Sequence, residues 1–227
     1  MAFLSGCEME NDLEGNGNVT TNRRYTGSFT GIDINGVLDV YLTQSDAYKV
    51  EVVTDENLQD VVEVENHNNV LYVKTKDDAE YNATQMDVYI TCPDITRINL
   101  DGVTALYTVD TLNIETVVIE KQNTGYLNFS AIVDVLKITS NDVGTIELSG
   151  KGHDVTINNN MIGDINAFGF KAYNLTLVHD GSGKVDVFVT NNFDVDISGV
   201  GNVYCKGNPT NVTNTGENMV GHLYMVN

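Results

Sequence analysis

Five glycines recur at nearly equal intervals in the second half of this chain, and their period constrains the fold more than any other feature. They are Gly125, Gly144, Gly163, Gly183 and Gly201, and the steps between them are 19, 19, 20 and 18 residues. A period of this length is typical of stacked coils, in which each repeat buries its apolar face only against its neighbours. The sequence therefore predicts a repeat architecture.

The residues around these glycines share an apolar frame. At 8 and 6 residues before each glycine, and at 2 and 4 residues after it, every position holds an apolar residue or a cysteine, although only 41% of the chain is hydrophobic. Alternate apolar positions have the period of a half-buried strand. Taken coil by coil, the frame residues are Val117, Ile119, Leu127, Phe129, Leu136, Ile138, Ile146, Leu148, Val155, Ile157, Ile165, Ala167, Leu175, Leu177, Val185, Val187, Phe193, Val195, Val203 and Cys205.

Each repeat thus predicts two short strands joined by a turn that ends at the glycine, where we expect a positive φ. The predicted fold is all-β: a parallel β-helix, or β-solenoid, of about 19-residue coils. We expect a right-handed solenoid because crossovers between parallel strands strongly prefer that hand. The residues three before each glycine predict either a hydrogen-bonded polar ladder or only the turn preference of Asn and Asp; they are Gln122, Asn141, Asn160, Asp180 and Ser198.

Three parts are expected along the chain. Residues 1–24 hold a lipobox remnant and a polar, flexible tether. Residues 25–92 predict a less regular β region, and residues 93–227 predict the solenoid with a C-terminal cap; 25–227 as one continuous unit is the alternative. The run Ile98, Leu100, Gly102 echoes Ile32, Ile34, Gly36, which indicates two related halves.

Charge excludes some classes of partner. Of the 227 residues, 12 are Lys or Arg and 32 are Asp or Glu, giving a net charge of −20. A surface this acidic argues against nucleic acid and against an anionic membrane surface as partners. Since no stretch approaches about 20 apolar residues, we expect contact with a membrane only through a lipid anchor.

The three cysteines predict different roles. Leu4-Ser5-Gly6-Cys7 matches the bacterial lipobox, which predicts lipidation of Cys7 and export to the outer membrane or cell surface, with the periplasmic face as the alternative. Only six residues precede Cys7, whereas a signal peptide needs about 7–15 apolar residues after a basic segment, so we expect the natural start to lie upstream. Cys92 and Cys205 are interpreted as buried apolar residues, with a disulfide between them as the alternative. The four histidines, His179 among them, are interpreted as exposed loop residues.

One outward column is the candidate site. Asn128, Glu147, Asn166 and Asp186 each follow a repeat glycine by three residues, so they should lie one above another on one face. Their oxygens could bind Ca²⁺ or another ligand, and a solvated polar face is the plainer alternative. The pattern indicates no catalytic residue and no other metal or cofactor. Outward and corner aromatic residues suit a sugar or protein partner, or packing; they are Tyr126, Phe168, Phe170, Tyr173 and Tyr204.

Two segments carry a family resemblance. Phe29-Thr-Gly-Ile-Asp-Ile-Asn-Gly-Val-Leu-Asp-Val-Tyr-Leu-Thr-Gln, together with Thr54-Asp-Glu-Asn-Leu and Val70-Leu-Tyr-Val, resembles the opening of the head GIN domain family. Val195-Asp-Ile-Ser-Gly-Val-Gly-Asn-Val-Tyr-Cys-Lys-Gly-Asn-Pro resembles its ending. That family is named for autotransporter adhesins of Bacteroidetes-type bacteria. The resemblance, over about residues 25–227, implies a right-handed β-helix-like fold, export and lipid anchoring, and it assigns no catalytic or binding residue.

Together these features predict a non-enzymatic, lipid-anchored envelope protein that presents a β-solenoid for adhesion or ligand binding. The expected ligand is a glycan or an envelope protein. Two alternatives stay open: a β-helix enzyme that acts on polysaccharides through Glu147 and Asp186, and a structural envelope protein with no soluble ligand. The oligomeric state stays open as well.

Overall fold

The chain is built almost entirely from β-strands. The computed structural model describes residues 13–76, 81–216 and 220–227, so Cys7 and the predicted lipobox lie outside the described residues. Fifteen strands join into one sheet, and its C-terminal region is a β-solenoid of about six turns. The all-β prediction is therefore confirmed. Within the described ranges, no helix has the length and apolarity needed to span a membrane.

The N-terminal region mixes parallel and antiparallel pairing. Its elements are β1 (Leu13–Glu14), β2 (Val19–Arg24), β3 (Gly31–Gln44), β4 (Lys49–Asp55), a 3₁₀ turn (Glu56–Leu58), β5 (Val62–His67), β6 (Val70–Thr75), β7 (Tyr81–Asn82) and β8 (Met86–Cys92). Strands β2 and β4 pair antiparallel, as do β4 and β8, while β3 lies parallel to β6, to β8 and to the next strand, β9 (Arg97–Thr108).

The predicted tether is shorter than residues 1–24. Strand β2 pairs along its whole length with β4, from Val19 opposite Asp55 to Arg24 opposite Val50. The Arg24 guanidinium also donates a hydrogen bond to the carbonyl of Gln59 at 2.7 Å. The prediction of flexible chain is thus wrong for residues 19–24. Their sequence shows no apolar period, but a partner strand some 30 residues later forms the backbone hydrogen bonds that order them.

Parallel strands make up the solenoid. They are β9 (Arg97–Thr108), β10 (Leu112–Asn123), β11 (Gly125–Ser140), β12 (Gly144–Asn159), β13 (Ile165–His179), β14 (Val185–Ile197), β15 (Val203–Lys206), β16 (Asn211–Asn214) and β17 (Leu223–Met225). All twenty frame residues predicted to face inward are buried. The echo between two distant segments also has a physical cause, because Ile32 pairs with Ile98 and Gly36 with Gly102 on neighbouring rungs.

The repeat glycines owe their identity to two different constraints. Positive φ is found at Gly144 (146°) and Gly163 (134°) but not at Gly125, Gly183 or Gly201, so the turn explanation holds for two of the five. Close stacking is the more general cause. At each of the last four glycines, an added Cβ would overlap the carbonyl oxygen of the glycine one coil earlier. Coils can approach to this distance only where no side chain intervenes.

A polar ladder lies inside the solenoid, four residues before each of the first four repeat glycines; before Gly201 the same position holds Ile197. Lys121, Ser140, Asn159 and His179 occupy adjacent rungs and are fully buried. Ser140 Oγ donates to Asn159 Oδ1 at 2.9 Å, and Asn159 Nδ2 lies 2.9 Å from His179 Nδ1. The interpretation of His179 as an exposed loop residue is therefore wrong. Burial lowers the pKa of Lys121 to about 8 and also lowers the pKa of His179.

A second polar ladder follows on the outside of the same turns, three residues before the glycines. Asn160 Nδ2 donates to Asn141 Oδ1 at 3.1 Å, and Ser198 Oγ donates to Asp180 Oδ1 at 3.3 Å. These contacts support the hydrogen-bonded ladder over a simple turn preference at both rungs.

Candidate functional site

The four predicted site residues do stand in one column. Asn128 pairs with Glu147, Glu147 with Asn166, and Asn166 with Asp186, on strands β11 to β14. Leu127, Ile146, Ile165 and Val185 precede them and point into the core, so the alternation of a strand turns the polar residues outward. Rungs of a parallel sheet lie about 4.8 Å apart, which sets the spacing of the four side chains.

Tyrosines extend this column in both directions. Asn128 pairs with Tyr107, which in turn pairs with Tyr41 and then Tyr89. At the other end Asp186 pairs with Tyr204, and Tyr204 with Tyr224. We call the resulting nine residues the outer column: Tyr89, Tyr41, Tyr107, Asn128, Glu147, Asn166, Asp186, Tyr204 and Tyr224. It runs along one side of the molecule from β8 to β17.

The tyrosine rings stack on one another. Ring centroids of Tyr41 and Tyr89 are 4.8 Å apart at an interplanar angle of 13°, and those of Tyr41 and Tyr107 are 5.3 Å apart at 17°. Tyr204 and Tyr224 stack at 5.1 Å and 16°. Because each ring covers the face of the next, the stacks hold the side chains in a common orientation. Ordered tyrosine is a frequent anchor in binding surfaces, as one end is apolar and the other is wet.

A groove of about 320 Å³ occupies the polar centre of the outer column, between the two tyrosine stacks. Phe168 forms part of its wall, and a β-bulge puts it there. Ala167 pairs with Val187, but the next pair is Lys171 with Phe188, so three residues of β13 have no counterpart in β14. Bulges re-aim side chains in this way. The other lining residues are Asn128, Glu147, Leu148, Ser149, Asn166, Gly169 and Asp186.

Both carboxylates of the groove already have protein partners. Lys184 Nζ lies 2.6 Å from Asp186 Oδ2, and Asp186 is only 7% exposed. The Tyr126 hydroxyl donates a hydrogen bond to Glu147. Burial is the larger cause, and this hydrogen bond the smaller, of a rise in the pKa of Tyr126 to about 12. The two acids are thereby held as oriented hydrogen-bond acceptors.

More carboxylates lie beside the first tyrosine stack. Asp39 and Asp87 pair on adjacent rungs next to Tyr41 and Tyr89. Burial, and after it the negative charge of Asp87, raise the pKa of Asp39. The same two causes, in the same order, raise the pKa of Tyr41. This end of the outer column is therefore rich in hydrogen-bonding groups and negative in potential.

The geometry gives the Ca²⁺ hypothesis little support. In the column, acids alternate with amides, so each carboxylate is two rungs from the next. Within the described ranges, no three His, Cys, Asp or Glu side chains converge closely enough to hold a metal ion. Hydrogen bonding to a polar ligand suits these groups better than ion coordination.

The other sequence candidates separate into distinct places. Cys92 and Cys205 are both buried and free, so the disulfide alternative is wrong. Phe170 is buried in the core, as the packing alternative predicts. Tyr173 is exposed and stacks on His153 at 5.0 Å, away from the outer column. The tyrosines on β3, β8 and β9 were not predicted as site residues. Their signal in the sequence is an aromatic residue between two apolar ones, as in Val40-Tyr41-Leu42 and Val88-Tyr89-Ile90.

Comparison with known proteins decides the family. A family model described as "Putative auto-transporter adhesin, head GIN domain" matches residues 28–209. The chain belongs to this family. A search of curated proteins gave no match.

Solved structures share the head GIN domain fold at low sequence identity. A "putative adhesin" from Bacteroides fragilis superposes with a TM-score of 0.90 at 22% identity, covering 94% of this chain and 100% of that one. A "putative lipid binding protein" from Parabacteroides distasonis gives a TM-score of 0.71 at 21% identity, over 95% and 100% of the two chains. A "putative adhesin" from Parabacteroides merdae gives 0.67 at 21%, over 95% and 99%. At these identities the likeness concerns the fold alone.

Proposed function

We propose that this head GIN domain protein is a non-enzymatic adhesin of the cell envelope that binds an uncharged glycan along the outer column. The observation that carries the proposal is the continuity of the column: nine stacked rungs present tyrosine, amide and carboxylate groups in register. Membership in a family named for adhesins supports the same assignment.

The spacing of the column suits a ligand that is itself extended and rich in hydroxyl groups. Tyrosine hydroxyls and the amides of Asn128 and Asn166 both donate and accept hydrogen bonds, while the carboxylates of Glu147 and Asp186 accept them. A chain of sugar hydroxyls can pair with all of these at successive rungs about 4.8 Å apart. Many weak contacts along one ligand then add up to useful affinity.

The charge of the column favours an uncharged glycan over an acidic one. Glu147 and Asp186 lie in the groove, where Lys184 balances the charge of Asp186 but not that of Glu147, and Asp39 and Asp87 lie beside the first tyrosine stack. Neighbouring carboxylates repel an anionic ligand, whereas neutral hydroxyls donate to them. The same acids would therefore select against uronic or sulfated sugars at this site.

Binding to a glycan panel tests the proposal. We expect Tyr204→Ser and Glu147→Gln each to weaken binding of a retained neutral glycan by about tenfold. Tyr204→Ser removes one aromatic anchor residue, and Glu147→Gln removes one hydrogen bond to a charged group. Tyr72→Ser is the matched control, because Tyr72 is an exposed strand tyrosine outside the outer column. If no neutral glycan is retained, or the column variants bind like the wild type, the proposal fails.

The same samples separate adhesin from enzyme. Release of new reducing ends from the retained glycan, abolished in a Glu147→Gln and Asp186→Asn double variant, would favour a polysaccharide-acting enzyme. We expect the glycan to be recovered intact after long incubation.

Lipid anchoring at Cys7 and surface display form the second half of the proposal, resting on the lipobox residues Leu4-Ser5-Gly6-Cys7. An exported form with a complete signal peptide, produced in a Bacteroidetes-type host, should incorporate a labelled fatty acid, and Cys7→Ser should abolish the label. Protease added to intact cells should remove the domain. Full protection would contradict display at the outer surface.

A further inference from the structure

A second and larger groove lies at a corner of the solenoid, away from the polar centre of the outer column. It measures about 580 Å³, within the range of roughly 300–1,000 Å³ usual for small-ligand sites. The side chains that define its chemistry are Ile132, Asp134, Lys151, His153, Lys171 and Tyr173. The two grooves share no lining residue: on β12 the polar groove ends at Ser149 and this one begins at Lys151, and on β13 the boundary lies between Gly169 and Lys171.

Lysines concentrate at this corner in a chain that has few of them. Ile132 pairs with Lys151, Lys151 with Lys171, Lys171 with Phe188, and Phe188 with Lys206. The whole chain has only 12 basic residues against 32 acidic ones. Like charges directly opposite each other destabilise a sheet, so placing Lys151 beside Lys171 carries a cost that packing does not explain.

These two lysines also differ from others on the surface. Lys49, Lys74 and Lys184 each form an ion pair with a nearby carboxylate. Within the described part of the chain, no carboxylate pairs with Lys151 or Lys171, and both are exposed. Lys171 Nζ lies 5.8 Å from the ring centroid of Phe188, a contact that does not neutralise its charge, so both ammonium groups can still pair with an anion from outside.

The third lysine is held elsewhere. Lys206 Nζ lies 4.9 Å from the ring centroid of Phe168 and 5.0 Å from that of Phe188. These cation–π contacts place it between the two grooves rather than in the larger one. The positive charge within the larger groove thus comes from Lys151 and Lys171.

Next to the lysines lies an aromatic surface. The rings of His153 and Tyr173 stack with centroids 5.0 Å apart at an angle of 25°, and both residues are exposed. His153 Nδ1 contacts Asp154 Oδ2 at 3.1 Å, which fixes the ring. Asp134 adds an exposed carboxylate to the lining. The groove therefore combines two cations, a pair of stacked rings and one carboxylate.

We propose that this groove binds an acidic sugar unit. Its carboxylate or sulfate would pair with Lys151 and Lys171, its ring would pack on His153 and Tyr173, and a hydroxyl would donate to Asp134. A nucleic acid or an anionic membrane would meet the repulsion of the whole surface, with its net charge of −20, whereas a single sugar meets only the local field. Asp134 favours a ligand that bears hydroxyls over a simple anion.

Calorimetric titration with acidic oligosaccharides tests the inference. The panel holds a uronate, a sialate and a sulfated oligosaccharide, each beside its neutral methyl-esterified or desulfated counterpart. We expect at least one acidic ligand to bind about tenfold or more tightly than its neutral counterpart, and the difference to shrink at high salt. If no acidic ligand binds with Kd below about 1 mM, or acidic and neutral forms bind equally, the inference is overturned.

Variants assign the binding to the groove. The double variant Lys151→Gln, Lys171→Gln should weaken acidic binding at least tenfold, and His153→Ala should weaken both ligand forms. Lys137→Gln is the matched control, an exposed lysine on β11 that does not line the groove. An equal loss of affinity in the control variant, or no loss in the double variant, contradicts the assignment. So does displacement of the acidic oligosaccharide by inorganic phosphate, if it exceeds the effect of another salt at the same ionic strength.

This outcome is independent of the outer column. Tyr204→Ser should leave acidic binding unchanged, and Lys151→Gln with Lys171→Gln should leave neutral glycan binding unchanged. Either site can therefore fail while the other stands.

Discussion

Replacing one repeat glycine by alanine tests why the coils stack as closely as they do. Gly183 has no positive φ, so alanine there introduces no backbone strain of that kind. An added Cβ would nevertheless overlap the carbonyl oxygen of Gly163 and lie 2.2 Å from its carbonyl carbon. Since carbon atoms normally approach to about 3.5–4.0 Å, the two coils must separate by about 1.3 Å.

The cost follows from the hydrogen bonds that join these coils. Asp180 N donates to Asn159 O at 2.8 Å, Ser182 N to Met161 O at 3.3 Å, and Ile165 N to Lys184 O at 2.9 Å. A separation of more than an ångström takes the first and third of these bonds well beyond the usual limit of about 3.2 Å, and it breaks the second, which already lies just past that limit. At about 1 kcal/mol net for each bond, Gly183→Ala should lower the free energy of unfolding by about 3 kcal/mol.

Gly17→Ala is the control that isolates backbone conformation. Gly17 has φ of 76°, and an added Cβ there would meet no atom within 4 Å, so we expect a loss of about 1 kcal/mol. Urea unfolding followed by circular dichroism gives both values, and tyrosine fluorescence should report the same midpoint if unfolding is two-state. A loss for Gly183→Ala no larger than that for Gly17→Ala would refute the argument from close stacking.

Three further predictions concern buried groups. Because burial lowers the pKa of Lys121 from 10.5 to about 8, the unfolded chain binds more protons at this side chain between these values, so Lys121 contributes up to about 3 kcal/mol more stability at pH 10.5 than at pH 8. The free energy of unfolding of the wild type should therefore rise by that amount relative to that of Lys121→Met in urea titrations over this range. The lowered pKa of His179 makes stability fall as the pH drops below 6.5, and an equally steep fall in His179→Gln would contradict this cause. Burial raises the pKa of Cys92 to about 12 and that of Cys205 to about 11. In a form that begins at residue 13, and so lacks Cys7, both thiols should react with a thiol reagent at pH 8 only after unfolding. Rapid labelling of the native protein would show that they are accessible.

Local pattern accounts for the parts of the fold that could be predicted. Alternation along a strand is set by the backbone itself, so the apolar period alone assigns every frame residue from Val117 to Cys205 to the core, and all are buried. The same alternation places the positions of Lys121 and His179 inward. Their side chains could not be predicted to be buried from an apolar pattern, because a polar side chain in the core is stable only with partners that the sequence does not show.

Partners distant in sequence decided the rest. Strand β2 is ordered by β4, and Phe168 reaches the polar groove only because β13 bulges against β14. The candidate site shows the same limit. Glu147 and Asp186 could be aligned from the glycine period, but the tyrosines of β3 and β8 lie outside the repeat. The apolar residues on either side of each tyrosine mark it as an outward strand residue, but they do not indicate which column it joins.

The sequence by itself determined that the chain forms stacked β coils, which residues fill them, and that the surface is strongly acidic, because period and composition are properties of neighbouring residues. Only the tertiary structure decided which outward residues meet. Tyr41 joins Tyr107 across 66 positions of chain, and Lys151 faces Lys171 one rung away. Such pairs depend on the register between strands, and register is set by the packing of the whole stack.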